Sequence, residues 1–221
     1  MSNVNAAKLI IENIQLLEQS KKLLEDEISV ELFEAVDEVI KNYMDAEWDG
    51  YYKFSEDYLA FAPSQWKVKD SNKFHQNYFA RYTLNCENEE TNGDYNHWWL
   101  SSFLKNDVDR IIFNFYPWQP NFAKCTTKDW KAFANEQNQL NPQIEQSGFK
   151  YNATSGGWYL VVNGIEPEIF IESYENGNLA DALTPIAEAL ETIQKTNPYF
   201  DKIVQAEIAK FGRIEVEETS V

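Results

Sequence analysis

The chain has 221 residues, of which 36 are acidic and 19 are basic, and its formal charge at pH 7 is -17. Hydrophobic residues make up 43% of it and aromatic residues 15%, which excludes a chain that is disordered throughout. This acidity excludes nonspecific binding to a nucleic-acid backbone, because such binding depends on Lys and Arg. No apolar run approaches the roughly 18 residues of a membrane span, so we expect no membrane association.

The first residues and the cysteine count predict where the protein works. Met1 to Asn5 contain no basic segment that leads into an apolar stretch, so no signal peptide is expected. Only Cys86 and Cys125 are present, which is too few for a disulfide framework in a chain of this length. We therefore predict reduced thiols and a cytoplasmic location.

Residues 1–47 are predicted to form an amphipathic helical segment. Apolar residues recur at steps of three, four and seven over 10–28, and a second stripe follows over 32–43. Ser29 lies between the two stripes, where it is expected to act as an N-cap. One long bent helix or a helical hairpin fits this pattern. The stripes are free either to pack on the rest of the chain or to pair two copies as a homodimer.

Residues 48–212 are predicted to form an α+β domain, followed by a flexible tail at 213–221. Alternation of apolar and polar residues, together with hairpin turns at Asn92-Gly93 and Asn163-Gly164, predicts a series of strands. The expected strands are 58–62, 78–86, 97–104, 110–116, 158–162 and 165–173.

Three further helices are expected in this domain. One begins at Thr126 or Thr127 and ends near Gln139, and a second begins near Leu179 or Thr184. The third is capped by Asn197-Pro198. The sequence as a whole predicts N-terminal amphipathic helices followed by an antiparallel sheet of about five to six strands, with helices packed on it.

An acidic turn follows the N-terminal helical segment. Gly50 occupies the sixth position of a twelve-residue stretch, and its spacing resembles the calcium loop of EF-hand proteins. The acidic residues at loop positions one, three, five and twelve are Asp45, Glu47, Asp49 and Glu56. The resemblance implies a site for calcium or magnesium. Glu47 stands where Asp or Asn is usual and no second loop pairs with this one, so the sequence favours a helix end, turn and strand with solvated carboxylates.

The order of predicted elements resembles restriction-endonuclease-like folds of the PD-(D/E)XK type, in topology only. The resemblance implies an Asp at a strand start, here Asp107 or Asp109, and an acidic-x-Lys pair on the next strand, which together hold magnesium. Glu166, Glu168 and Glu172 are the candidates for that pair. The lysine of the motif is missing after Glu168, so the resemblance implies a degenerate relative at most.

The histidines, cysteines and arginines of the chain do not form a recognisable motif in the sequence. A zinc site would need the only histidines and cysteines of the chain, and they lack the short paired spacings of structural zinc sites. These residues are His75, Cys86, His97 and Cys125. Arg81 and Arg110 lie in or beside strands, where we expect each to pair with a carboxylate rather than to capture a substrate.

The aromatic segment from Tyr116 to Phe122 is a second candidate site. Its prolines predict a loop, where Trp118 has less reason to be buried than an aromatic residue on a strand. Stacking platforms of this kind bind sugars, bases or Pro-rich peptides. Tyr116, Trp118 and Phe122 are therefore predicted to contact a partner.

The sequence favours a non-enzymatic acidic interaction protein. Its negative field is expected to steer it toward a basic protein partner, without direct binding of nucleic acid. An extension of this hypothesis is an inhibitor that imitates a nucleic-acid backbone. The alternative is a carboxylate-based metal-binding or divalent-metal-dependent, nuclease-like domain that has degenerated. A cofactor is otherwise not expected.

Overall fold

The N-terminal part of the protein is helical, as its apolar stripes predict. A computed structural model describes residues 3–56, 58–88, 99–105 and 109–214. The helices are α1 (Asn3–Glu12), α2 (Ile14–Leu23) and α3 (Ser29–Tyr43), and a π-helical stretch over Leu24–Ile28 joins α2 to α3. This arrangement is an extended helical run rather than a helical hairpin.

A six-stranded antiparallel sheet follows, which confirms the predicted α+β class. Its strands lie in the spatial order β1-β2-β3-β4-β6-β5, and each neighbouring pair is antiparallel. The strands are β1 (Trp48–Lys53), β2 (Tyr58–Pro63), β3 (Ala80–Asn88), β4 (Asp109–Pro117), β5 (Phe149–Asn152) and β6 (Gly157–Val161).

The remaining helices lie between and after the strands. They are α4 (Trp99–Phe103), α5 (Thr127–Leu140), α6 (Gln143–Gln146), α7 (Pro167–Glu175), α8 (Leu179–Ala182) and α9 (Thr184–Phe211). Thr126 caps α5 with a complete capping box, because its hydroxyl accepts from the Asp129 backbone N–H while the Asp129 carboxylate accepts from Thr126. This confirms the predicted start of that helix.

The core lies between one face of the sheet and α9. Phe200 of α9 contacts aromatic rings from four strands, at centroid distances of 4.5 to 5.9 Å. These rings belong to Tyr82, Phe115, Phe149 and Trp158. Because side chains alternate along a strand, their sequence neighbours belong to the opposite face, which we call the outer face. It carries Arg81 of β3 and its cross-strand neighbour Tyr116 of β4.

The hairpin predicted around Asn163-Gly164 is wrong in its second half. The predicted strand 165–173 is largely α7, because Pro167 suits the first turn of a helix. Gly164 serves a different purpose, since a Cβ there would lie 2.5 Å from the Cα of Lys105. This close approach lets Ile165 bond to the backbone of Phe103 and Lys105.

Two other predicted elements differ from the structure. The predicted strand 97–104 contains α4 instead, and the hairpin at Asn92-Gly93 lies outside the described residues. The predicted boundary at Asn197-Pro198 is also wrong, because α9 continues through Pro198. The side chain of Asn197 accepts a hydrogen bond from the Tyr82 hydroxyl at 3.1 Å, and burial of one whole face of α9 outweighs the helix-breaking tendency of proline.

The N-terminal helices divide into an exposed part and a buried part. Leu32, Val36 and Ile40 of α3 are fully buried in the core. Every residue from Val4 to Leu23 is exposed, and we call this segment the N-terminal arm. None of the helices in the described ranges is long and apolar enough to span a membrane.

Because Leu17 in the arm is exposed and Leu32 in α3 is buried, the same Leu→Ala substitution should change the free energy of unfolding unequally in the two places. Leu32→Ala is expected to lower the free energy of unfolding by about 2–5 kcal/mol, because it leaves a cavity in the core. Leu17→Ala, at a side chain that is 45% exposed, should change it by less than about 0.5 kcal/mol. Urea unfolding followed by tryptophan fluorescence measures both, and an equal loss would show that the arm packs on the domain.

Candidate interaction sites

The N-terminal arm presents a continuous set of exposed apolar side chains. Each is 44–76% exposed, and they occur on both α1 and α2. They are Val4, Leu9, Ile10, Ile11, Ile14, Leu16, Leu17 and Leu23. An isolated helix of this length is only marginally stable in water, since most helical stability in proteins comes from packing of the apolar face. The apolar side chains of the arm are therefore left without the packing that usually stabilises a helix.

An acidic helix face continues directly from the arm. Glu31, Glu34 and Glu38 of α3 are exposed and follow one another at steps of three and four, so they form one row. A cavity of 600 Å³ lies beside this row, between α3 and β1. Both oxygens of Asp37 accept from the Phe54 backbone N–H at 3.1 Å, and burial raises the pKa of that carboxyl. The row itself remains available for partner contacts.

The four carboxylates of the EF-hand-like stretch do not converge. Asp45 accepts from the backbone N–H of Glu47 at 2.9 Å, next to the end of α3. Asp49 lies in β1 and accepts from the Tyr78 hydroxyl at 2.7 Å, whereas Glu56 accepts from the Tyr51 hydroxyl at 3.1 Å. The stretch after Glu47 is an extended strand rather than a loop around a cation, because β1 pairs along its whole length with β2.

The other candidate metal ligands are also separated. Glu168 and Glu172 lie in α7, so the strand pair that the nuclease-like alternative needs does not form. Glu166 pairs instead with Lys105. Asp109 begins β4 and Asp107 lies outside the described residues, as does His97 of the zinc set. Within the ranges that the structure covers, no three His, Cys, Asp or Glu side chains are placed to hold a metal ion.

The predicted aromatic site divides into buried and accessible members. Phe122 is 5% exposed and packs on Phe79 with ring centroids 5.0 Å apart, so it belongs to the core. Tyr116 is 38% exposed on the outer face. Trp118 is half-buried, and its ring centroid lies 4.6 Å from that of His75.

Trp118 contacts Arg81, whose surroundings the sequence did not predict. The Arg81 guanidinium carbon lies 5.5 Å from the Trp118 ring centroid. The sequence predicts a carboxylate partner for Arg81, but no carboxylate of the described residues pairs with it, and its Nε and Nη1 atoms are buried without a hydrogen-bond partner. Burial lowers the pKa of Arg81, and the neighbouring Tyr58 and Tyr116 partly oppose this effect. Sequence spacing does not reveal this cluster, because His75 and Trp118 belong to separate loops.

A buried acid lies on the opposite side of the molecule's aromatic core. Glu207 of α9 is 0% exposed, and neither carboxyl oxygen has a hydrogen-bond partner. Burial therefore raises its pKa well above the ordinary value. The same region raises the pKa of the Cys125 thiol to about 12, through burial and the acidic groups of Glu207 and Asp129. Cys125 is thus a weak nucleophile at neutral pH.

Comparison with protein-family models, with curated proteins and with solved structures finds no match to this chain. The function is therefore inferred from its side chains and their surroundings.

The separation of the acidic side chains predicts that calcium does not stabilise the protein. Millimolar calcium chloride is expected to leave the melting temperature unchanged, because a ligand raises it only by binding the folded state. Thermal unfolding with calcium and with a chelator measures this. A calcium-dependent rise that Asp45→Ala with Glu56→Ala abolishes would instead establish the EF-hand-like site.

Burial of Glu207 predicts that stability falls with rising pH. The folded chain keeps the proton of this group above pH 4.5, whereas the unfolded chain releases it near that ordinary value. The contribution of Glu207 to the free energy of unfolding is therefore complete only below its pKa in the unfolded chain. Above that pKa, the free energy of unfolding falls by up to about 1.4 kcal/mol per pH unit.

Glu207→Gln should accordingly be more stable than the unmodified chain at pH 8, and the difference should shrink toward pH 4. Urea unfolding across this range measures the difference, with the exposed Glu188→Gln as a matched control. A difference that does not vary with pH would mean that Glu207 is ionised in the folded protein.

Proposed function

We propose that this chain is a non-enzymatic interaction protein that binds a basic amphipathic helix of a partner protein. The binding surface consists of the N-terminal arm and the acidic row Glu31, Glu34 and Glu38. The observation that carries the proposal is the complete exposure of the arm, from Val4 to Leu23.

The apolar side chains of the arm supply the driving force for binding. A helix of about 20 residues is roughly 30 Å long, which is enough to pair with a partner helix over several turns. Burial of Ile10, Ile14 and Leu17 against such a helix removes apolar surface from water, as in helix-in-groove recognition. It also gives the arm the packed face that an isolated helix lacks.

The charge pattern favours a basic partner. Residues 25–38 contain seven acidic and no basic side chains, whereas the arm carries Lys8, Lys21 and Lys22 with only two acids. A partner helix with an apolar stripe and a Lys- or Arg-rich end matches both regions at once. Overall acidity adds long-range attraction that raises the association rate and weakens with salt.

Self-association through the arms is the second candidate, since the same apolar residues suit a homodimer. The strongly acidic segment next to the arm favours a basic partner over a second acidic copy, because like charges brought together oppose binding. Direct contact with nucleic acid is not part of the proposal, for the same electrostatic reason.

A designed peptide tests this function. The probe is a 21-residue amphipathic helix with Leu along one face and Lys or Arg elsewhere, titrated into the full chain by calorimetry. The unmodified chain should bind it, with affinity that falls about tenfold or more as salt rises from 50 to 300 mM. Ile14→Ser with Leu17→Ser should abolish binding, and Glu34→Gln with Glu38→Gln should weaken it.

Ile171 provides the matched control, because it is 54% exposed on α7 while Ile14 is 48% exposed on α2. Ile171→Ser should bind the peptide as the unmodified chain does. Sedimentation velocity measures the oligomeric state in parallel. A stable dimer that the peptide does not dissociate would overturn the basic-partner proposal in favour of self-association, and equal binding by the arm variant would overturn both.

A further inference from the structure

On the outer face of the sheet, Arg81 has no anionic partner within the part of the chain that the structure describes. Nε and Nη1 of Arg81 are buried and make no hydrogen bond, and the groups that affect its charge are tyrosines rather than carboxylates. A buried charge without a partner destabilises a fold, since desolvation is not offset. An arginine in this environment on a strand of an acidic protein is a candidate for binding an anionic ligand.

Aromatic rings surround this guanidinium. Trp118 lies 5.5 Å from its carbon, and the His75 ring packs edge-on against Trp118 at 4.6 Å. The ring centroids of Tyr58 and His75 lie 6.4 Å apart, and the buried Tyr58 hydroxyl interacts with the Arg81 guanidinium. We call Tyr58, His75 and Trp118 the aromatic cage. Beside the cage, Nε and Nη1 of Arg81 are buried without a hydrogen-bond partner.

A cavity of 390 Å³ adjoins the cage, and its size suits a small ligand. It is lined mainly by aromatic rings, with a lysine at its edge. The lining residues are Tyr51, Tyr58, Asn72, Lys73, Phe74 and His75. Tyr58 and His75 belong to both the cavity and the cage. Arg81 does not line the cavity, but its guanidinium interacts with both of these residues.

We propose that the cavity binds a carboxylate carried on a planar, apolar body. The carboxylate pairs with one edge of the Arg81 guanidinium and accepts from the Tyr58 hydroxyl, while the body packs on Tyr51 and Phe74. The half-buried His75 ring covers the route, and its rotation admits the carboxylate, a movement that side chains complete within nanoseconds.

The geometry of a single arginine favours a carboxylate over a phosphate. Two parallel N–H groups match the two oxygens of a carboxylate, and such bidentate pairs are among the strongest hydrogen-bonded contacts. The aromatic lining suits a planar body and offers a phosphate few further donors. Lys73 adds a second positive charge at the edge of the cavity.

The pKa of His75 should change when a carboxylate occupies the cavity. Burial and the positive charges of Arg81 and Lys73 lower its pKa. A carboxylate on Arg81 counters those charges, so binding should raise the pKa of His75. A ligand elsewhere on the protein would leave this value unchanged.

Benzoate is the probe, with benzamide as its neutral counterpart and inorganic phosphate as the other anion. In NMR titrations of the full chain, benzoate should raise the pKa of His75 and the melting temperature, and the other two should do neither. Arg81→Met should weaken benzoate binding about tenfold or more, because it removes a bidentate charged pair. Arg213→Met, which removes an arginine stacked on Phe79 at 5.2 Å, should bind as the unmodified chain does.

The melting temperature of unliganded Arg81→Met separates binding from structure. It should equal or exceed that of the unmodified chain, since the substitution removes an unpaired buried charge. A large fall would overturn the proposal by showing that Arg81 is structural. Equal binding of benzoate and benzamide, or no effect of benzoate on His75, would overturn it too.

The carboxylate has two sources, a free small molecule or the C-terminus of a partner chain. A Gly-Gly-Phe peptide with a free C-terminus, compared with its amide, distinguishes them. Tighter binding of the acid peptide than of benzoate supports a chain terminus, and the reverse supports a small molecule. No residue of α1, α2 or α3 lines this cavity, so the arm variants and Arg81→Met test the two proposals independently.

Discussion

Phe200 is the side chain around which the structure is organised. Its ring contacts one aromatic residue from each of β3, β4, β5 and β6, and so joins four strands to a single helix. Aromatic pairs of this kind add to the free energy gained by burial alone. The position of Phe200 requires α9 to remain helical two residues after Pro198. The core face of the sheet is therefore occupied by packing against α9, whereas the N-terminal arm remains exposed.

Local sequence pattern predicted the elements whose signal is local. The alternation over 110–116 became β4, and the Thr126 cap became the start of α5. Sequence pattern gave the wrong prediction where tertiary contacts determine the secondary structure of a segment. Pro198 reads as a helix boundary in sequence, but ten buried residues hold α9 together across it. Asn163-Gly164 reads as a hairpin turn, but Gly164 is needed for close contact with the backbone of Lys105.

The candidate sites were likewise predictable from sequence only where their features are local. The apolar stripe of the arm is visible in the sequence, but only the structure shows that no described part of the chain buries it. The aromatic segment is predicted as a partner site, but Phe122 belongs to the core and Trp118 contacts Arg81. The cage around Arg81 could not be predicted from spacing, because it joins β2 and β3 to two loops that are separated by about 40 residues of sequence. The unpaired charge is a property of the fold alone.

The central claim is that the arm stands free of the core until a partner covers it, and hydrogen exchange of the full chain at micromolar concentration tests this most directly. Amides of residues 4–23 should exchange with little protection, while those around Phe200 should exchange only through global unfolding. Addition of the basic amphipathic peptide should slow exchange in the arm. Strong protection of the arm in the free, monomeric protein would contradict the account, because it would show that the arm is already packed.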